Sequence, residues 1–285
     1  MCDDFTEQAD IAADAKALTR RQFTAIGAAA VLVGSSAATN PSLTEAMVRV
    51  TAPDGLADAF FVHPAKGKHP GIILWPDIGG MRDAFKVMAR RLAASGYAVL
   101  VVNQYYRSSP APVLASFAQW RTPEGQTKLK PMLAEITPVA TARDAAAFVR
   151  YLDASPAVDT QRKIGSNGYC ISGGYAVRTA AAAPKRVGAA ASFHGANLVS
   201  NDADSPAHLL AASHASFLFA IARNDDARAP GDKDALRAAA TAAKRPADIA
   251  VYAADHGWCV GDAPSYNAAE ADRAWGKLLA LFAKL

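Results

Sequence analysis

The chain has 285 residues, of which 51% are hydrophobic and 20% charged, a globular balance rather than a disordered one. That length holds one large domain or two small ones and buries a sizeable core. The formal charge is only +4, and no Lys/Arg run is interleaved with aromatics, so the electrostatic footprint of a nucleic-acid binder is missing.

In chain order, the first legible segment is Thr19-Arg20-Arg21-Gln22-Phe23-Thr24, followed by the apolar run Ala25–Gly34 and the small residues Ser35-Ser36-Ala37-Ala38. An arginine pair, a short apolar run and a small-residue end are the parts of an export signal, and the pair before Gln-Phe resembles a twin-arginine signal. The apolar run is about half the roughly 20 residues that a membrane span needs, so no stable membrane anchor is expected. Residues 1–40 are therefore expected to be an export signal read by export machinery. The mature chain would begin near Ala38–Asn40 and reach the periplasm folded. Cys2 would leave with the signal. Cys170 and Cys259 remain, either as a disulfide or as one reactive thiol and a bystander.

From about residue 46 strand-like and helix-like segments alternate. Ala57–Val62, Gly71–Trp75 and Tyr97–Val102 read as strands, with a helix over Phe85–Ser95. Arg107–Lys130 is richer in Ser, Pro, Gln and charge, too long for an ordinary connection, and reads as an excursion over the ligand site. Pro138–Asp153 reads as a helix, Ile164–Tyr169 as a strand, Gly174–Ala183 as a helix, and Val187–Phe193 and Phe217–Ala222 as strands. Lys233–Ala243 reads as a helix, Ile249–Tyr252 as a strand, and the last helix runs from about Ala268 to Leu285. Continuous apolar strands alternating with helices predict one α/β domain over residues 41–285, with a mostly parallel sheet covered by helices on both faces.

Ligands of such sheets bind at the carboxyl ends of the strands. Those ends carry Pro76-Asp77-Ile78-Gly79-Gly80, Asn103-Gln104-Tyr105-Tyr106-Arg107, Cys170, His194, Arg223-Asn224-Asp225-Asp226 and Asp255-His256-Gly257-Trp258. Cys170, then Asp225 or Asp226, then His256 follow the nucleophile, acid, histidine order of α/β-hydrolases. A nucleophile on a sharp strand-to-helix turn needs small neighbours two residues either side. Both Cys170 (Gly168, Ser172) and Ser172 (Cys170, Gly174) meet that rule. Register favours Cys170, which follows the strand directly; an inert buried thiol is the remaining alternative. Distance from the strand end favours Asp225 over Asp226. His194 and Trp258 are each open to a pocket role or to plain packing. Clustered Cys and His for zinc are missing, and no cofactor is expected.

Gly168-Tyr169-Cys170 with the following Gly-Gly resembles the elbow of the dienelactone hydrolase family. Asp77-Ile78-Gly79-Gly80, Tyr105-Tyr106-Arg107, Ala222–Asp225 and His256-Gly257-Trp258 resemble the family's other motifs in order, over about residues 46–285. The resemblance implies an α/β-hydrolase fold and hydrolysis of an ester or lactone. Cys170 would be the nucleophile, His256 the base and Asp225 its orienting acid. The Ile78 and Ile171 N–H groups would form the oxyanion hole. It further implies that Asp77, where the family more usually has Glu, holds the resting thiol. Tyr105 and Arg107 would contact the substrate, Arg107 pairing a carboxylate on an anionic one. A Ser172 esterase and an inactive anion-binding protein on the same scaffold are the competing readings.

Overall fold

The computed structural model describes residues 42–285. The export signal and Cys2 lie outside the described residues. Eight strands form one sheet in the order β1-β2-β4-β3-β5-β6-β7-β8. They are β1 (Leu43–Ala52), β2 (Gly55–Pro64), β3 (Gly71–Trp75), β4 (Ala98–Val102), β5 (Ile164–Tyr169), β6 (Val187–Phe193), β7 (Ser216–Ala222) and β8 (Ala247–Tyr252). From β4 to β8 all neighbours are parallel; β1 and β2 add an antiparallel edge.

Every residue of β3 and β4 is buried, as continuous apolar strands under two layers must be. Alternate side chains enter opposite layers. Ile73 and Trp75 lie in one core cluster with Phe148, Val177 and Leu236, which come from helices α3 (Pro138–Ala154), α4 (Gly173–Ala182) and α5 (Asp232–Ala242). Ile72 and Leu74 lie in the other with Phe85 and Leu92 of α1 (Asp83–Ala94) and Leu278 and Phe282 of α6 (Ala268–Phe282). The expected α/β fold, mostly parallel with helices on both faces, is the one observed. Among the described residues no helix is long and apolar enough to cross a membrane.

Two segments differ from the sequence expectation. Leu43–Ala52 is a full strand, paired residue for residue with β2 from Leu43↔Pro64 to Ala52↔Gly55. Its first half is mostly exposed, with no regular pattern, and apolar and polar side chains alternate only from Val48 to Ala52, so no buried run marks it. The excursion after Arg107 contains a helical turn at Phe117–Trp120 and α2 (Pro123–Ala134). Thr122 caps α2 by accepting the Gly125 N–H, with Pro123 at the first turn. The excursion has its own apolar cluster, which closes over the sheet's carboxyl edge.

Phe282 fills the space that Gly165 leaves: a Cβ on Gly165 would lie 2.7 Å from the Phe282 ring. Phe282 also meets the edge of Tyr97 at 5.8 Å. Replacing Phe282 with Ala is expected to destabilise the fold by about 3–5 kcal/mol, because β5 has no side chain there to collapse into the void. Urea denaturation of the two proteins measures this, and a loss below about 1 kcal/mol would contradict the packing described.

Candidate active site

β5 ends at Tyr169, and Cys170 follows with φ +58°, the left-handed region that an L-residue with a side chain enters only when its surroundings hold it there. Three contacts do so. A Cβ on Gly168 would lie 2.0 Å from the Ser172 carbonyl oxygen, so only glycine permits the turn. The Ser172 hydroxyl accepts the Tyr169 N–H at 2.9 Å and lies 2.9 Å from the carbonyls of Trp75 and Tyr169. The Cys170 N–H donates to Nδ1 of His194 at 3.1 Å. Ser172 is fully buried and bonded on every side, which corrects the reading of it as a nucleophile: it braces the turn.

His194 ends β6, is also left-handed (φ +38°) and is buried. Because its Nδ1 accepts a hydrogen bond, the proton sits on Nε2 and the ring is neutral. Burial, and then the neighbouring His256, push its pKa well below the usual histidine range. Its ring meets His256 edge-on at 4.6 Å and Trp258 at 5.3 Å. Trp258 stacks on Tyr252 within the buried core on the α1/α6 side, so it packs rather than forms part of the cluster around Cys170.

His256 lies between Asp225 and Cys170. Its Nδ1 is 2.8 Å from Asp225 Oδ2, and the Cys170 sulfur is within hydrogen-bonding reach. Burial opposes its charge, but Cys170 first and then Asp225 raise its pKa well above the usual range. Asp226 instead takes Lys233 at 2.7 Å, so the acid that the fold brings to His256 is Asp225. The Asn224 side chain accepts the His256 N–H at 2.9 Å and fixes the loop.

The loop after β3 is held from three directions. Gln104 donates to the Asp77 carbonyl at 2.7 Å, and Tyr105 donates to the Ile78 carbonyl at 2.7 Å. Arg82 grips the Asp77 carboxylate with Nη1 and Nη2 at 2.6 and 2.9 Å, and Asp262 with Nε and the same Nη2 at 2.7 and 2.8 Å. Nothing in the sequence around Arg82 marked it as part of the site; Asp77 five residues earlier was the one available signal. Ile78 and Ile171 pack in the same cluster as Cys170, and the Ile78 N–H has no hydrogen-bond partner among the described residues.

Three expected roles need correction. Asp77 does not hold the thiol: its oxygens bind Arg82 and the Gly79 N–H. Tyr105 is buried and uses its hydroxyl on the Ile78 carbonyl, so it positions the loop instead of meeting a substrate. Arg107 is bound to Asp54 and Asp144 and has no free edge for a substrate carboxylate. Cys170 and Cys259 are both free thiols. Cys259 faces a separate cavity of about 490 Å³ beside Arg82, Met88 and Trp275, and burial pushes its pKa up. Among the described residues no His, Cys, Asp or Glu group could hold a metal ion.

Comparison with known proteins gives the family and the fold. The model of the dienelactone hydrolase family matches residues 57–285. A protein of Synechocystis named "Putative carboxymethylenebutenolidase" is 28% identical over 76% of this chain and 87% of its own length. Among solved structures, the dienelactone hydrolase from Anabaena variabilis superposes with a TM-score of 0.61 at 19% identity, covering 85% of this chain and 97% of that one. One from Klebsiella pneumoniae, titled a "Putative Dienelactone Hydrolase", reaches 0.74 at 21%, covering 86% and 100%.

Arg82 is buried between two carboxylates, so Arg82→Met leaves Asp77 as an uncompensated buried charge. A loss of about 3–5 kcal/mol in denaturant unfolding is expected, against a small change for Arg91→Met on the surface. The two histidines have opposite pH signatures. His256, with its pKa raised, stabilises fully below the unfolded value of about 6.5 and loses that contribution as pH rises through its folded value. His194, with its pKa lowered, stabilises above about 6.5 and loses that contribution as pH falls toward its folded value. The stability lead of the wild type over His194→Asn should therefore shrink by about 1.4 kcal/mol per pH unit below 6.5. Urea midpoints from about pH 7 down to 5 measure it, and a constant difference would contradict a neutral His194.

Proposed function

The chain belongs to the dienelactone hydrolase family, and from that premise we propose that it hydrolyses a carboxylic ester or lactone with Cys170 as the nucleophile. One observation carries the reading. Cys170 stands on a left-handed turn after β5 with His256 in reach, and His256 Nδ1 is 2.8 Å from Asp225 Oδ2.

The thiol proton passes to His256, and the sulfur attacks the carbonyl carbon. The carbonyl oxygen becomes an oxyanion facing the N–H groups of Ile78 and Ile171, donors that are already fixed when the charge develops. Collapse breaks the C–O bond, and the His256 imidazolium protonates the departing alkoxide, leaving a thioester on Cys170. A water then gives its proton to His256 and attacks the thioester. The acid is released, and the sulfur recovers its proton from His256. Throughout, Asp225 holds the imidazole's Nδ1–H and balances the imidazolium.

Arg82, Gln104 and Tyr105 act at one remove. They fix the backbone that carries the Ile78 N–H, so a shift of a few tenths of an ångström in that loop weakens the oxyanion contact and not the nucleophile.

p-Nitrophenyl butyrate hydrolysis tests the assignment. Cys170→Ala is expected to lose at least about 10³-fold in kcat with unchanged melting, and Asp225→Asn about 10²–10⁴-fold. Asp226→Asn is expected to stay within a few-fold. Activity that survives Cys170→Ala, or that survives complete iodoacetamide labelling of Cys170, would sink the thiol mechanism. A large loss in Asp226→Asn with Asp225→Asn intact would move the acid by one residue.

A further inference from the structure

Both arginines near the site are matched by carboxylates. Arg107 gives Nε and Nη2 to Asp54 (2.9 and 2.7 Å), and Nη1 and Nη2 to Asp144 (both 2.8 Å). Its side chain is 11% exposed and that of Asp144 only 3%. Arg143 adds a third bond to Asp54 at 2.9 Å, so this cluster of two arginines and two carboxylates is neutral. The Tyr106 hydroxyl donates to Asp144 at 2.8 Å. If Arg107 turned to a substrate carboxylate, Asp144 would remain buried without its guanidinium, exchanging one ion pair for another at the cost of a stranded charge. Arg82, beside Ile78, faces two carboxylates with one guanidinium, so that cluster is negative.

Cys170 shares its cluster with Ile78 and Tyr105 and with Val113, Leu114, Phe117 and Trp120 of the excursion. None of these is charged, and Lys128 of the excursion gives its ammonium to the Val113 carbonyl at 2.7 Å. The Tyr105 hydroxyl is bonded to the Ile78 carbonyl, and Tyr175 is partly buried against the cluster. A carboxylate placed here would give up its water for apolar walls and a nearby negative cluster. An alkyl or aryl group would instead exchange water for aliphatic and aromatic surface.

We propose that the acyl group accepted beside Cys170 is neutral and apolar, and that esters or lactones bearing a carboxylate on that side are poor substrates. The proposal rests on the hydrolase reading above and names its substrate class.

Two matched compounds test it: p-nitrophenyl pentanoate, and the mono-p-nitrophenyl ester of glutaric acid, which replaces the terminal methyl by a carboxylate. The pentanoate is expected to have a kcat/KM about 100-fold or more above that of the glutarate. Lengthening the acyl chain from acetyl to pentanoyl is expected to raise kcat/KM about three- to four-fold per methylene. In parallel, equilibrium dialysis of the wild-type protein with the stable amides pentananilide and glutaranilic acid reads recognition without turnover, with pentananilide expected to bind tighter. Equal or better hydrolysis of the glutarate ester overturns the inference and leaves the hydrolase reading standing. Tighter binding of pentananilide with no hydrolysis of either ester overturns the hydrolase reading and supports the apolar preference. Neither hydrolysis nor preferential binding overturns both.

Discussion

The left-handed backbone at Cys170 is the constraint around which the site is organised. An L-residue there costs on the order of 1–2 kcal/mol, and the surrounding chain must outweigh that cost. Gly168 makes room, Ser172 ties the turn to β3 and β5, and His194 accepts the one N–H that the turn leaves over. His194 is itself left-handed at the end of the next strand, and the Ala196 N–H returns to the Cys170 carbonyl at 3.2 Å. Two adjacent strand ends therefore lock each other in a conformation that neither would hold alone. The thiol is lifted off the sheet as a result, and His256 from the β8 loop can reach it.

A second layer of the site is ionic and does no chemistry. Arg82 and Arg107 each sit between two aspartates, and each joins segments distant in sequence. In both cases the guanidinium's planar set of donors is filled by carboxylates of the chain itself. These ion pairs hold loops in register, and that use leaves the space beside Cys170 to apolar side chains. His194 and His256, in ring contact, divide their roles in the same way: one accepts from the backbone N–H of Cys170, and the other turns its Nδ1 to Asp225.

The sheet was legible because β3, β4, β6 and β7 are short, mostly apolar runs whose burial on both faces leaves a continuous signal, and β2 shows the same run in its inner half; β5, with Ser166 and Asn167 inside it, was legible by its place before the elbow. β1 was not, because most of it lies exposed at the sheet's edge and only its last five residues alternate, with no buried run to mark it. Cys170, Asp225 and His256 could be proposed because a parallel sheet brings strand ends together whatever the loops do. The roles of Asp77, Arg107 and Tyr105 could not be read. Each depends on which partner claims the side chain first, and the claimants Arg82, Asp144 and the Ile78 carbonyl become neighbours only in the folded chain. Ser172 fits the small-residue rule as well as Cys170 does, and only its bonds to two carbonyls separate a brace from a nucleophile.

The Arg82–Asp262 pair spans 180 positions of sequence, from the loop after β3 to the loop beyond His256. Contacts of such long range form late, since the chain between must be ordered first. During synthesis the elbow and the loop that carries Ile78 emerge well before residue 262. A ribosome-bound chain can therefore build most of the sheet while the surroundings of Cys170 are still without His256 and without the clamp that steadies Ile78. Helix α6, whose Leu278 and Phe282 complete one hydrophobic layer, follows Asp262 in the chain, so the clamp and that layer can both close only after the rest of the sheet has emerged.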